Sequence, residues 1–175
     1  MAVSGMDVVD TAVKIGLGAL ITSLGAYGLA RRTHSGELER ERLRGRKQLL
    51  EEVALQVETV THVALKYWAL IMEFTRNREL GMDLATHRRE ELDRTKLELF
   101  ASFKEFSGAE GKLLLLAEKE PERKLREYGE FIGAFRRKFY EENAQMTEPE
   151  LEAQRLELLT KRSVFYDALS KAYSE

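Results

Sequence analysis

The 175-residue chain contains no cysteine, which excludes disulfides, thiolate zinc sites and thiol nucleophiles. That absence fits a reducing compartment. Only 2 prolines occur, Pro121 and Pro149, so little interrupts long helices. No segment alternates polar and apolar residues as a half-buried strand does, and no Asn-Gly or Asp-Gly hairpin dipeptide is present. Phosphate loops of the Gly-x-x-x-x-Gly-Lys-Ser/Thr type and the Gly-x-Ser-x-Gly elbow are also missing.

Histidine is scarce as well, with 3 residues, His34, His62 and His87. A di-metal centre in a helical bundle needs Glu-x-x-His pairs. The residues three positions upstream are Arg31, Thr59 and Leu84, so that site is excluded. Glu58 lies one turn before His62, which alone is a weak metal signal. Carboxylates are spread over helix faces and single out no acid–base pair. No catalytic residue, metal ligand or cofactor is expected, nor a small-molecule substrate, and the chain does not read as an enzyme.

Against these absences stands one uncharged run, from Ile15 to Ala30, followed by Arg31, Arg32, Arg40, Arg42, Arg44, Arg46 and Lys47. An apolar segment closed by a cationic collar reads as a membrane helix whose C-terminal end stays in the cytoplasm. The uncharged core is shorter than the roughly 20 residues a span requires. Extension back to Val8 supplies the length, with Lys14 snorkelling and Asp10 near the outer interface. A Gly-rich buried helix of a soluble bundle is the alternative. A cleaved signal peptide fits less well, because Asp7 and Asp10 precede Lys14. Gly18, Thr22, Ala26 and Ala30 recur every four residues, a spacing that lets membrane helices approach closely and self-associate.

Charge is unevenly spread: +1 over residues 1–32, +2 over 33–47 and −5 over the rest. A basic neck beneath a membrane suits contact with anionic lipid through Arg31, Arg32, Arg40, Arg44 and Lys47. The interleaved Glu37, Glu39 and Glu41 suit a solvated helix face equally well. An acidic body argues against nucleic acid as partner.

From Leu50 the apolar positions step by three and four: Leu50, Val53, Val57, Val60, Ala64, Tyr67, Ile71, Phe74. This predicts a helix ending between Asn77 and Gly81. A second helix carries Leu84, Leu92, Leu99, Phe103 and Phe106, with Phe100 beside them, and is expected to stop at Ser107-Gly108. Ser107-Gly-Ala-Glu110 then has the pattern of a capping box. Pro121 marks a restart near Glu120, and Leu125, Tyr128, Ile132, Phe135 and Phe139 repeat the spacing. The chain is expected to turn over residues 142–147. Thr147-Glu-Pro-Glu150 is the clearest helix start, leading into Leu151, Leu158, Phe165, Leu169 and Ala172. The aromatics on these stripes read as core.

The expected fold is all-α: a single N-terminal transmembrane helix followed by an antiparallel up-down bundle of about four helices. Its divisions are a short extracytoplasmic tail (1–7), the span (8–30), a basic neck (31–47), either continuous with the span or interrupted at Thr33–Gly36, and a cytoplasmic bundle (48–175). The expected function is a membrane-anchored interaction or scaffold protein at the cytoplasmic face, with membrane lipid and either a protein partner or its own copies as partners. The alternative is an oligomeric, pore-forming membrane effector controlled by its bundle.

Overall fold

A computed structural model describes residues 5–140 and 146–174, with side chains over 37–139 and 146–174. Among the described residues there are four helices and no strand: α1 (Gly5–Glu79), α2 (Thr86–Leu115), α3 (Lys119–Tyr140) and α4 (Glu148–Ser174). They form two compact units, Met1–Gly45 and Arg46–Glu175. α1 contributes to both, and its backbone is helical across Thr33–Gly36, in line with the continuous alternative.

The membrane location expected of this chain is corrected. Among the described residues no helix is long and apolar enough to cross a membrane. The uncharged run from Ile15 to Ala30 covers about 24 Å at 1.5 Å per residue, against about 30 Å of hydrocarbon. Gly16, Gly18, Thr22, Ser23, Gly25 and Gly28 further dilute its apolarity. A single-pass protein with its N-terminus outside and its bundle in the cytoplasm is therefore not supported, and the pore-forming alternative loses its footing with it. The side chains of residues 8–30, including the four-residue ladder of small residues, lie outside the described residues.

In the unit 46–175 the stripes meet as the periodicity predicts. Leu50, Val53, Val57, Val60, Ala64, Tyr67 and Ile71 of α1 are buried against Leu99, Phe106, Ala109 and Leu113 of α2. Leu125, Tyr128, Ile132 and Phe135 of α3 complete this core with Leu151, Leu158, Phe165 and Leu169 of α4. Polar pairs record the register. Along α1 and α2 they run in opposite chain directions, Glu73 with Arg88 and Lys66 with Glu98, and Arg46 pairs with Glu118 just beyond the end of α2. Along α1 and α4 they do likewise: Arg76 with Glu148, Glu58 with Arg162 and Glu51 with Tyr173.

α1 ends at Glu79, where Gly81 takes a φ of 68° that a side chain would resist. The expected stop at Ser107-Gly108 does not occur, and α2 runs on to Leu115. A Cβ at Gly108 would lie 2.7 Å from Gln56 Nε2. This glycine lies inside α2 facing the flexible end of the Gln56 side chain of α1, and makes no turn. Ser107 accordingly makes no cap; its hydroxyl donates back to the Phe103 carbonyl. The break falls instead at residues 116–118, where Ala117 has φ 60°, and Pro121 sits in the first turn of α3. Residues 141–145 of the α3–α4 connection lie outside the described residues.

α4 starts as its capping pattern predicts. The Thr147 amide donates to Glu150 Oε2 at 2.8 Å, and the Thr147 hydroxyl donates to it at 3.0 Å. Both bonds hold the Glu150 carboxyl below the ordinary carboxylate range. A carboxyl depressed in the folded state adds stability above its unfolded pKa of about 4.3, and that stability is lost as pH falls through the folded value. Glu150→Gln is therefore expected to lower the melting temperature at pH 7. The gap to the parent should close below about pH 3; a gap that persists there assigns the effect to something other than ionisation.

Two hydroxyls in the α1–α2 packing, Thr75 Oγ1 and Thr95 Oγ1, are fully buried without a hydrogen-bond partner. A buried unpaired hydroxyl costs about 1–3 kcal/mol. Thr95→Val, which keeps the shape and removes the hydroxyl, is expected to raise unfolding stability by about 1 kcal/mol. A lower urea midpoint would show instead that water or a neighbour satisfies the group.

Candidate interaction surface

The residues assigned to lipid contact and helix association fall in three places. Gly18, Thr22, Ala26, Ala30, Arg31 and Arg32 belong to the part of α1 whose side chains are not described. Arg40 and Arg44 are exposed, as are Leu38 and Leu43 on the same stretch. Lys47 lies over the ring of Tyr173, 4.9 Å from its centroid, so this cation is engaged by the C-terminal helix.

The polar groups of the bundle interior are structural. Tyr128 and Thr61 share a buried hydrogen bond of 2.9 Å, and Thr61 also donates to the Val57 carbonyl. Burial pushes the Tyr128 phenol up to about 12, against the lowering effect of its bond to Thr61. Tyr67, also raised by burial to about 12, packs edge-on against Phe135 and Phe139. Phenols this reluctant to ionise are poorly matched to proton transfer near neutral pH. The Tyr166 hydroxyl donates to the Ala54 carbonyl and Trp68 Nε1 donates to the Leu151 carbonyl, both tying α4 to α1.

The charged groups are mostly mutual. Arg88 bridges Glu73 and Glu91. This pairing, through the hydrogen bond to Glu73 first, raises the Arg88 pKa and lowers that of Glu73. Arg126 is held by Glu110 and Glu122, and Lys112 by Glu52 and Gln56. His62 and His87 are exposed. Among the described residues no group of three or more His, Cys, Asp or Glu is placed to hold a metal ion.

Exposed apolar side chains occur on several helices, as at Leu55 of α1 and Leu156 of α4, and on α2 they include Leu97, Phe100 and Leu114. Leu97, Phe100, Lys104, Ser107, Gly111 and Leu114 follow steps of three and four, hence one helix face. All are exposed, Leu97 at 69% and Phe100 at 63%. The sequence places Phe100 with the core; it stands outside instead, its ring 5.0 Å from the Arg136 guanidinium. Beside this face a trough of about 350 Å³ opens between α2 and α3, with Phe103 and Phe106 along one side and Gly129 and Gly133 along the other.

Gly129 and Gly133 form the one strict Gly-x-x-x-Gly of the chain. Their missing side chains leave the trough open. A Cβ on Gly129 would meet Phe106 at 3.8 Å, and one on Gly133 would meet Phe103 at 3.8 Å and Arg137 Nη1 at 3.6 Å. A second, smaller groove of about 210 Å³ lies between α1 and α4, lined by Leu50, Ala54, Tyr166, Leu169 and Tyr173. The signals that could have pointed to the first surface are the paired glycines and a phenylalanine one residue beyond the core register at Leu99. An open face with exposed leucine and phenylalanine beside a shallow trough can bind another protein surface. The trough is also lined by Ser107, Glu110, Arg126, Glu130 and Arg137. No known protein family, curated protein or solved structure matches this chain.

Proposed function

We propose that this chain is a helical interaction protein, an antiparallel up-down bundle that presents the outer face of α2 to a protein surface. The observation that carries this reading is a helix face with Leu97 and Phe100 both largely exposed, beside a trough whose apolar wall is Phe103 and Phe106 and whose rim carries Glu110, Arg126, Glu130 and Arg137. Single exposed leucines are ordinary, whereas contiguous apolar patches mark contact sites. Leucine and phenylalanine on neighbouring turns, next to an open trough, form such a patch. Large aromatics set among small neighbours also suit the anchor-and-pocket pattern of binding hot spots. The interior phenols and many of the charged groups among the described residues serve the fold, tying the helices to one another.

The test is affinity capture with the full chain and with Phe100→Glu, compared by mass spectrometry. A protein held by the parent and lost from the variant, with equal melting temperatures for both baits, is the expected result. Identical recoveries from the two would remove α2 from the interaction, and no specific recovery with either would sink the reading.

A further inference from the structure

We propose that the α2–α3 connection is a strained hinge that opens by straightening into one helix, exchanging α3 and α4 between two copies of the chain. Pro121 and the Arg46–Glu118 pair hold it closed. The hinge is independent of the α2 face described above.

The connection is short, residues 116–118, and its bonds are those of a Schellman turn. The Glu118 amide donates to the Leu113 carbonyl at 2.9 Å, and the Ala117 amide donates to the Leu114 carbonyl at 3.0 Å. Such a turn needs a left-handed residue, usually glycine, followed by a residue with an apolar contact back to the helix. Here the left-handed residue is Ala117, with φ 60°, and its Cβ crowds the carbonyl oxygen that follows. The next residue is the carboxylate Glu118. Both usual supports of the turn are missing.

The local sequence favours a helix instead. Leu113 to Glu120 are all good helix formers, with no glycine, asparagine, aspartate or serine among them. A helix continued through residue 117 would return Ala117 to a right-handed φ and relieve its strain. Two features oppose this. Pro121 has no amide to offer the Ala117 carbonyl, and in a straight helix its ring would collide with that carbonyl. Arg46 of α1 donates to Glu118 at 2.6 Å, with both side chains mostly buried, and pins the turn from the side.

The core decides what covers an opened half. Straightening parts α1 and α2 from α3 and α4. It bares Leu50, Val57 and Leu99 on one side and Leu125, Leu158 and Phe165 on the other. The surface shaped to cover each half is the half it has lost, which a second copy carries. Short hinge loops under strain invite such an exchange. Bonds between α1 and α4, such as Glu58 with Arg162, then re-form between copies.

The hinge is tested with Pro121→Ala in the full chain. At equal concentration this variant is expected to hold about tenfold more dimer than the parent. Adding Ala117→Gly relieves the strain and disfavours the straight helix, so the dimer should fall to within about threefold of the parent. Because the chain lacks cysteine, Glu58→Cys with Arg162→Cys, joined by a short bismaleimide, reports which copy supplies α4. The link forms within one chain in the monomer and between two chains in the exchanged dimer.

A monomeric Pro121→Ala overturns the proposal. So does a dimer whose cross-links stay within single chains, or one that Ala117→Gly leaves unchanged. If Pro121→Ala loses its helical circular dichroism, the parent decides instead. Refolded from urea at high concentration, the parent should give the interchain link, and Ala117→Gly about threefold less of it. Equal yields from the two, or no interchain product, overturn the hinge.

Discussion

Val60→Asp is expected to abolish cooperative folding of residues 46–175. Val60 is fully buried at the centre of the α1 stripe, between Val57 and Ala64, which are also fully buried. An aspartate there must either ionise without a partner or keep its proton in an apolar setting, and each costs several kcal/mol. A domain of this size is stable by only about 5–15 kcal/mol. The nearest polar bond, between Thr61 and Tyr128, is already satisfied and offers the new carboxyl no vacancy. Circular dichroism during heating should show a sloping, non-cooperative loss of helix. A sigmoidal transition within a few degrees of the parent would place residue 60 outside the core.

Phe165→Ala carries the second largest effect. Phe165 is fully buried on α4 and packs edge-on against Tyr166, ring centroids 5.2 Å apart. Removal of a buried phenylalanine ring costs about 3–5 kcal/mol, because the surroundings collapse only partly into the cavity. Urea unfolding should show a lower midpoint with an unchanged slope. Phe100→Ala is the internal comparison: largely exposed, it should change stability by less than about 0.5 kcal/mol. Similar losses from both would mean that the α2 face is covered in the folded protein.

The helices were legible because their apolar residues keep the three–four spacing over several turns. Leu50 to Ile71 and Leu125 to Phe135 are buried position by position as that spacing predicts. The start of α4 was legible because a capping pattern is local, needing only Thr147, Pro149 and Glu150. Gly108 misled because a glycine inside a helix and a glycine at a turn are the same letter. Only the run of α2 on to Leu115 tells them apart. Phe100 misled for a similar reason. It stands next to Leu99, and the face on which α2 meets α3 is settled by the break after Leu115, beyond the reach of local spacing. Residues 15–30 misled through charge: a run without Asp, Glu, Lys or Arg resembles a span, yet its glycines, Thr22 and Ser23 make it short and weakly apolar. Attention to small-residue spacing near the N-terminus also passed over the paired glycines that open the trough between α2 and α3.

The bonds between α1 and α4 join residues far apart in the chain, Tyr173 with Glu51 at a separation of 122 residues. Pairs between α2 and α3 are local by comparison, as with Arg126 and Glu110 at a separation of 16. Local pairs close early and distant ones late, because loop-closure entropy must be met first. During synthesis at about 5–20 residues per second, α1 leaves the ribosome on the order of ten seconds before α4 can cover it. Through that interval the part of its valine-rich stripe that α4 covers is bare, and the nascent chain is a substrate for whatever binds exposed apolar helices in the cell that makes it.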